Sequence, residues 1–383
     1  MSEKVKVLYF VDRMLRGGIQ TFVLENMKHM DKSKIQLDYL LLDDGVKYDL
    51  EDTLREMGSN VYKLEGVWLR KPTDYFNYFK KIDDFFSKHH DYKVVHLHSS
   101  SKNFFILKSA KKYGIPVRIA HSHSIGFQSK NIIQIMIGNL CKPLLKKYAT
   151  DYFACSEIAG EWLFGKKEVK KGNVKVIHNA VDLQKFKFNE NVRNKIRKDL
   201  NIEDKLVIGH VGRFITLKNH NFLIDIFDEI HKKNEKAVLM LVGTGEKEDE
   251  IREKVKNMKL EESVLFIGFK PNVQEYMWAM DIFVFPSLFE GLGLVLIEAQ
   301  ATGMRCFTSK NVVPIESKVS ELLEYIELEP YNADIWAEKI LKTKTTREES
   351  YNQIKSKGYD ICDTGKELEE FYIGRNLTSE NKI

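Results

Sequence analysis

A chain of 383 residues is too long for one compact core, so two domains of ordinary size are the default. Its composition, 43% hydrophobic and 30% charged with 7 prolines, is that of a globular protein, and no run reaches the roughly 18–20 uncharged apolar residues of a membrane-spanning helix. The net charge of +5 hides an asymmetry: residues 1–180 hold 30 Lys and Arg against 20 Asp and Glu, whereas residues 181–383 hold 30 against 35.

A basic first half suits an anionic partner, either a membrane surface or a phosphorylated acceptor. Four scattered cysteines without a C-x-x-C pair speak against a disulfide framework or zinc site and fit a reducing cytoplasm. The N-terminal apolar segment Val7–Val11 is too short for a secretory leader and reads as a first strand, so a cytoplasmic location is expected.

Short apolar runs then alternate with longer amphipathic stretches. Val5–Val11, Ile35–Leu42, Val61–Leu64, Val94–His98, Val117–Ala120 and Tyr152–Ala154 read as strands. Between them Ile19–Met30, Leu50–Met57, Tyr75–Lys88, Asn103–Tyr113 and Ile132–Tyr148 read as helices. Val176–Asp182 reads as a strand ending in a polar turn, and the charged segment Leu183–Asp204 as an interdomain connection. The pattern then restarts, with strands at Leu206–His210, Ala237–Val242, Val264–Ile267, Ile282–Phe285 and Arg305–Thr308. Helices at His220–Lys232, Glu246–Met258, Val273–Ala279 and Leu294–Thr302 separate them.

This predicts an α/β protein of two Rossmann-like parallel domains facing a central cleft. Residues 1–180 form the first domain, 181–360 the second, and 361–383 a helical tail packing back on the first. The helical stretch Ala333–Tyr372 carries four aromatics, Trp336, Tyr351, Tyr359 and Phe371, expected to pack back across that first domain. No helix-turn-helix pattern occurs, so nucleic acid is not an expected partner.

In parallel sheets ligands bind beyond the strand carboxyl ends, and the informative motifs lie there. Pro286–Gly303 runs from an apolar strand through a turn with Gly291 and Gly293 into a helix starting near Leu294. Its glycines permit positive φ and close backbone approach, and the free amides of the first helical turn suit a diphosphate. Glu290 and Glu298 are placed to accept hydrogen bonds from sugar hydroxyls. Val211–His220 forms a second such turn carrying Arg213 and Lys218, cations suited to phosphate oxygens. Gly17-Gly18 follows the first strand without the G-x-G-x-x-G dinucleotide fingerprint. His96-Leu-His98 and His121-Ser-His123 each close a strand. No Cys or carboxylate joins either pair locally, so buried histidine is the plainer reading of His96 and His121, while His123 is better placed to touch a sugar. No Asp-x-Asp occurs, so no metal or other cofactor is expected.

Together, Gly17-Gly18, His-Ser-His, Ile177–Asp182, Gly212-Arg213 with Lys218, and Glu290-x7-Glu298 resemble family 4 retaining glycosyltransferases of the GT-B fold, within the exopolysaccharide and capsule subgroup. The resemblance implies transfer of a sugar from a nucleoside diphosphate sugar, UDP-sugars foremost, to a saccharide or polyprenyl-diphosphate-linked acceptor with retention. It implies that Glu298 binds the ribose and Glu290 the donor sugar, that Arg213 and Lys218 hold the diphosphate, and that His123 faces the transferred sugar. Gly291, Leu292, Gly293 and Leu294, with Gly17, Gly18 and Asn179, would complete the donor site. Gln20 departs from the family's Gly-Gly-x-Glu, and His178 stands where proline is commoner. A nucleotide-sugar epimerase on the same fold and a non-catalytic assembly partner are the alternatives. Peripheral contact with the inner membrane face, through Lys102, Lys130, Lys142, Lys146 and Lys147, is a further expectation.

Overall fold

The computed structural model describes residues 4–15, 17–65, 72–127 and 131–380. The chain divides into two units, one made of residues 1–180 and 361–383 and the other of residues 181–360.

In the first unit, β1 (Val5–Val11), β2 (Ile35–Leu42), β3 (Val61–Leu64), β4 (Val94–His98), β5 (Val117–Ser122), β6 (Asp151–Ala154) and β7 (Val174–Val176) form one sheet. Its order is β3-β2-β1-β4-β5-β6-β7, all parallel. The continuous apolar run of β1 follows from burial on both faces: Val7, Tyr9 and Val11 join one core cluster, Leu8 and Phe10 the other. The helix Ile361–Glu380 closes this unit. Its Leu368 and Tyr372 are fully buried against β1, and Tyr372 Oη lies 2.7 Å from Tyr9 Oη.

In the second unit, β8 (Leu206–Val211), β9 (Ala237–Val242), β10 (Val264–Gly268), β11 (Ile282–Phe285), β12 (Arg305–Ser309) and β13 (Leu323–Ile326) form a parallel sheet of order β10-β9-β8-β11-β12-β13. Alternate residues of β9 again serve two cores, Ala237, Leu239 and Leu241 on one face and Val238, Met240 and Val242 on the other.

Three expectations are corrected. Leu183–Asp204 is no loose connection: it contains helices Leu183–Phe186 and Glu190–Asp199, and Leu183, Phe186 and Ile202 enter the second core. Its charges are used internally, because Arg193 and Arg197 converge on the carboxylate of Asp281, which also accepts the Val207 amide at 2.8 Å. Val176–Asp182 holds only the last residue of the three-residue β7, and in its remainder Val181 makes an isolated parallel bridge to Asp360. Among the aromatics assigned to the returning tail, Trp336 and Tyr359 are buried in the second unit and Tyr351 packs on its core. Phe371 does meet the first unit, with its ring 4.9 Å from that of Phe153.

Candidate active site

Each sheet reverses its strand order once, between β1 and β4 in the first unit and between β8 and β11 in the second. The connections diverge at such a reversal and leave a crevice beyond the strand ends. The predicted site residues other than Asn179, which follows β7, lie on the loops and helix starts around these two places.

In the second unit the loops after β8 and β11 are stitched together. Asn219, at φ +55°, donates through Nδ2 to Pro286 O at 3.0 Å, and Leu288 N donates to Leu217 O at 2.8 Å. The stitching brings Lys218 Nζ to 2.6 Å from Glu290 Oε1, an ion pair whose members are mostly shielded. Ser287 Oγ lies 2.5 Å from the same carboxylate oxygen and 2.8 Å from Leu217 O, and its single proton serves one of them at a time. Lys218 also stands 4.6 Å over the Phe285 ring. Arg213, in the same loop, is exposed.

The helix Leu294–Ala301 starts at Gly293, and no side chain caps it. Gly293 takes φ +71°, the left-handed region that favours glycine, and a Cβ there would come within 3.3 Å of Leu296. Gly291 does not share this role: it needs no positive φ and faces open space. Leu294 N and Val295 N begin the helix, whereas Leu296 N is spent on Gly293 O at 2.8 Å. Glu298 sits half-buried on the second turn.

Sequence reasoning passed over Gly243-Thr-Gly245 after β9. A Cβ on Gly243, at φ +141°, would lie 2.1 Å from Gly212 O, and one on Gly245 would lie 2.6 Å from the Phe214 backbone. These two glycines let the β8 loop that carries Arg213 and Lys218 settle on its neighbour. The signal was a G-x-G directly after an apolar strand.

The first unit's reversal has different chemistry. Asp12 follows β1 and Ser99 follows β4; Asp12 Oδ1 accepts from Ser99 Oγ at 2.6 Å and from Asn103 Nδ2 at 2.9 Å. Desolvation raises the Asp12 carboxyl above its ordinary range, opposed by the Ser99 hydrogen bond and Arg13. It borders a cavity of about 290 Å³ also lined by Ser99, Lys102, His123, Gln134 and Trp162. Asp12 carried no predicted role, although a carboxylate closing the first strand before Gly-Gly is a readable sign.

Behind it stand four histidines. His96 Nε2 lies 3.1 Å from His121 Nδ1, and His98 Nδ1 lies 2.9 Å from His123 Nε2. His96 Nδ1 reaches Tyr372 Oη at 2.7 Å. Desolvation keeps all four uncharged at neutral pH, lowering His123 to about 3. His96, His98 and His121 each offer a nitrogen within 4.8 Å of the others, and among the described residues they form the cluster that could hold a metal ion. Doing so would break the His96–His121 hydrogen bond and the ring stack of His96 on His98, 4.1 Å between centroids.

Gly17 and Gly18 open the first helix, Gly18–Lys28, and both are exposed. Gln20 Nε2 donates to Arg13 O at 2.6 Å, a bond that a glutamate could not make. Asn179 Oδ1 is buried with no hydrogen-bond partner among the described residues. Of the five lysines, Lys130 lies outside the described residues, whereas Lys142 and Lys146 are half-buried and donate to Trp162 O at 2.7 Å and Phe164 O at 3.0 Å.

Comparison with known proteins places this geometry. Residues 16–185 match the Glycosyltransferase Family 4 model, and residues 192–360 match that of Glycosyl transferases group 1. EpsF of Bacillus subtilis (strain 168), whose name assigns it to the glycosyltransferases, is 31% identical over 370 residues covering 94% of each chain. The Escherichia coli UDP-Gal:alpha-D-GlcNAc-diphosphoundecaprenol alpha-1,3-galactosyltransferase is 24% identical over 316 residues, 80% of this chain and 79% of its own. The crystal structure of Anabaena Alr3699/HepE in complex with UDP superposes with a TM-score of 0.76 at 18% identity, covering 96% of this chain and all of its own. The chain belongs to the family 4 glycosyltransferases and is a glycosyltransferase of the GT-B fold.

Proposed function

We propose that the protein transfers a glycosyl group from a UDP-sugar to a hydroxyl of a saccharide carried on a polyprenyl diphosphate, with retention, in polysaccharide assembly. The observation that carries the reading is the Lys218–Glu290 pair across the β8/β11 reversal, beside exposed Arg213 and an uncapped helix start. Cations and helix amides suit a diphosphate, and a carboxylate suits sugar hydroxyls. The E. coli relative's name combines a UDP-sugar donor with a lipid-diphosphate acceptor, which supports the same pairing here.

Donor binding would exchange the ion pair for two better-used contacts. The ammonium turns to the diphosphate and the carboxylate to the sugar, while Glu298 takes the ribose and His123, as a neutral imidazole, the transferred sugar. As the bond from the anomeric carbon to the diphosphate oxygen breaks, charge grows on that oxygen, and Arg213, Lys218 and the helix amides stabilise it. The acceptor oxygen bonds to the same face of the sugar, and its proton passes to the departing phosphate oxygen. The acceptor saccharide lies at the β1/β4 reversal, against Asp12 and His123.

Two cations in place of a metal make the reading testable. A transfer assay over a panel of nucleotide sugars should give product of retained anomeric configuration by NMR, and the rate should survive EDTA. Arg213→Ala should lose more than Arg213→Lys, since only the guanidinium grips two oxygens at once. Activity lost in EDTA and restored by Mg²⁺ or Mn²⁺ would overturn the metal-free reading. A free sugar nucleotide, altered without any acceptor, would point to an epimerase.

A further inference from the structure

A helix on a protein surface ordinarily turns its polar residues outward. The helix Ile132–Tyr148 does the opposite. Its exposed positions include Ile132 (73%), Ile133 (66%), Met136 (59%), Leu140 (73%) and Leu144. Ile132, Met136, Leu140 and Leu144 follow one another at four-residue spacing, so they form one stripe along the helix. The opposite side is anchored: Leu145 is buried in the core, Gly138 receives the Phe127 ring, and Gly138 O accepts from Ser101 Oγ at 2.7 Å. The stripe is therefore a fixed outward face.

The stretch of sequence that carries it is basic. Residues 92–150 contain ten Lys and Arg and no Asp or Glu, which equals the whole positive excess of the first half. Lys108, Lys111 and Lys147 are exposed, the last on the helix itself. The same helix reaches the β1/β4 cavity, since Gln134 lines it and accepts a hydrogen bond from Lys102. Among the described residues no helix is long and apolar enough to cross a membrane.

We propose that this stripe lies in the interfacial layer of an anionic lipid bilayer, with the surrounding lysines on the headgroups. An apolar face bordered by cations is the composition that binds such an interface. The basic segment, with Lys147 exposed on the helix itself, favours anionic headgroups over a second copy, which would carry the same charge. The inference rests on the proposed lipid-linked acceptor and adds to it: the acceptor's sugars enter the cavity beside the helix while its diphosphate stays among the headgroups and its chain in the bilayer.

Flotation of the full-length protein with vesicles tests this, without donor or acceptor. Vesicles of equal phosphatidylglycerol and phosphatidylcholine should carry the wild type at low salt, and pure phosphatidylcholine vesicles should carry less. A triple variant, Ile132→Gln, Met136→Gln and Leu140→Gln, removes only exposed side chains and should melt like the wild type. Its vesicle-bound fraction should fall about tenfold or more. Lys147→Gln should weaken binding less and flatten its salt dependence. Wild type that stays unbound on anionic vesicles at low salt overturns the proposal, as does a triple variant that floats equally well. So does sedimentation showing a wild-type dimer that the triple variant abolishes. Thermal shifts with UDP are read separately: flotation without any UDP response would refute the donor reading and leave the membrane face standing.

Discussion

The two units share one topology and one kind of strand reversal, yet place opposite chemistry there. At β8/β11 the loops present an ion pair, Lys218 with Glu290, beside an exposed Arg213 and a helix start that no side chain covers. At β1/β4 they present Asp12, held by Ser99 and Asn103, before four histidines that burial keeps neutral. Topology decides where a ligand can lie; side chains decide which part of it. A reversal with Lys218 and Arg213 suits a diphosphate leaving group, and one with Asp12 and neutral imidazoles suits hydroxyls.

The largest effect should come from breaking the charged reversal. Lys218→Met should lower kcat by about 10²–10³, the cost of removing one group that stabilises transition-state charge. Glu290→Gln should lower kcat/KM by about 10–100-fold, equivalent to about 1.5–3 kcal/mol for a charge-assisted hydrogen bond. Glu298→Gln should instead weaken binding of free UDP. Stability separates structure from catalysis. Each single variant at the pair leaves a shielded charge without its partner and should lower Tm, whereas the double variant Lys218→Met/Glu290→Gln should recover Tm but not activity. Activity restored in the double variant would reduce the pair to a structural role.

The neutral reversal should show itself through pH. A histidine whose folded pKa is depressed lets the unfolded chain bind protons that the folded chain refuses, so stability falls as pH drops below the ordinary value. For His123 that window runs from 6.5 down to about 3. His96, His98 and His121 add to it, as do His210 and His220 in the second unit, the last lowered to about 4 by desolvation and Lys218. Each costs up to about 1.4 kcal/mol per pH unit inside its window. Tm measured from pH 7.5 to 5 should therefore be level above 7 and fall steadily below 6.5, and His123→Asn should make the fall shallower. A Tm independent of pH across that range would mean that the folded protein does not depress the pKa values of these histidines.

How much of this was legible depends on distance along the chain. β1 and the Pro286–Gly303 strand–turn–helix could be read directly, because an apolar run, a glycine turn and a helical period are local signals. Lys218 and Glu290 could each be singled out, but not their pairing: they are 72 residues apart and meet only because β8 lies beside β11. Asp12 and Ser99, 87 residues apart, meet for the same reason at β1 and β4. Alternating strands and helices announce a parallel sheet without giving its order. The helix Glu190–Asp199 was hidden by its charges, which looked like linker composition until Asp281 supplied their partner.

The smallest expected effect separates two glycines that the sequence treats alike. Gly293 is required by the fold: its φ is +71°, and an added Cβ would press on Leu296 at 3.3 Å. Gly293→Ala should therefore destabilise by about 1–2 kcal/mol, the cost of a side chain in the left-handed region. Gly18 opens a helix, needs no positive φ and has nothing within 4 Å of where its Cβ would stand. Gly18→Ala should leave stability unchanged or raise it by about 0.4–1 kcal/mol, since alanine restricts the unfolded chain and favours the helix. Any lost activity in that variant cannot then come from the fold and must come from backbone that a ligand approaches closely. Urea melts and a transfer assay on both variants read the two effects together. A destabilised Gly18→Ala protein, or one as stable and as active as wild type, would remove the assignment of the Gly17-Gly18 turn to the substrate.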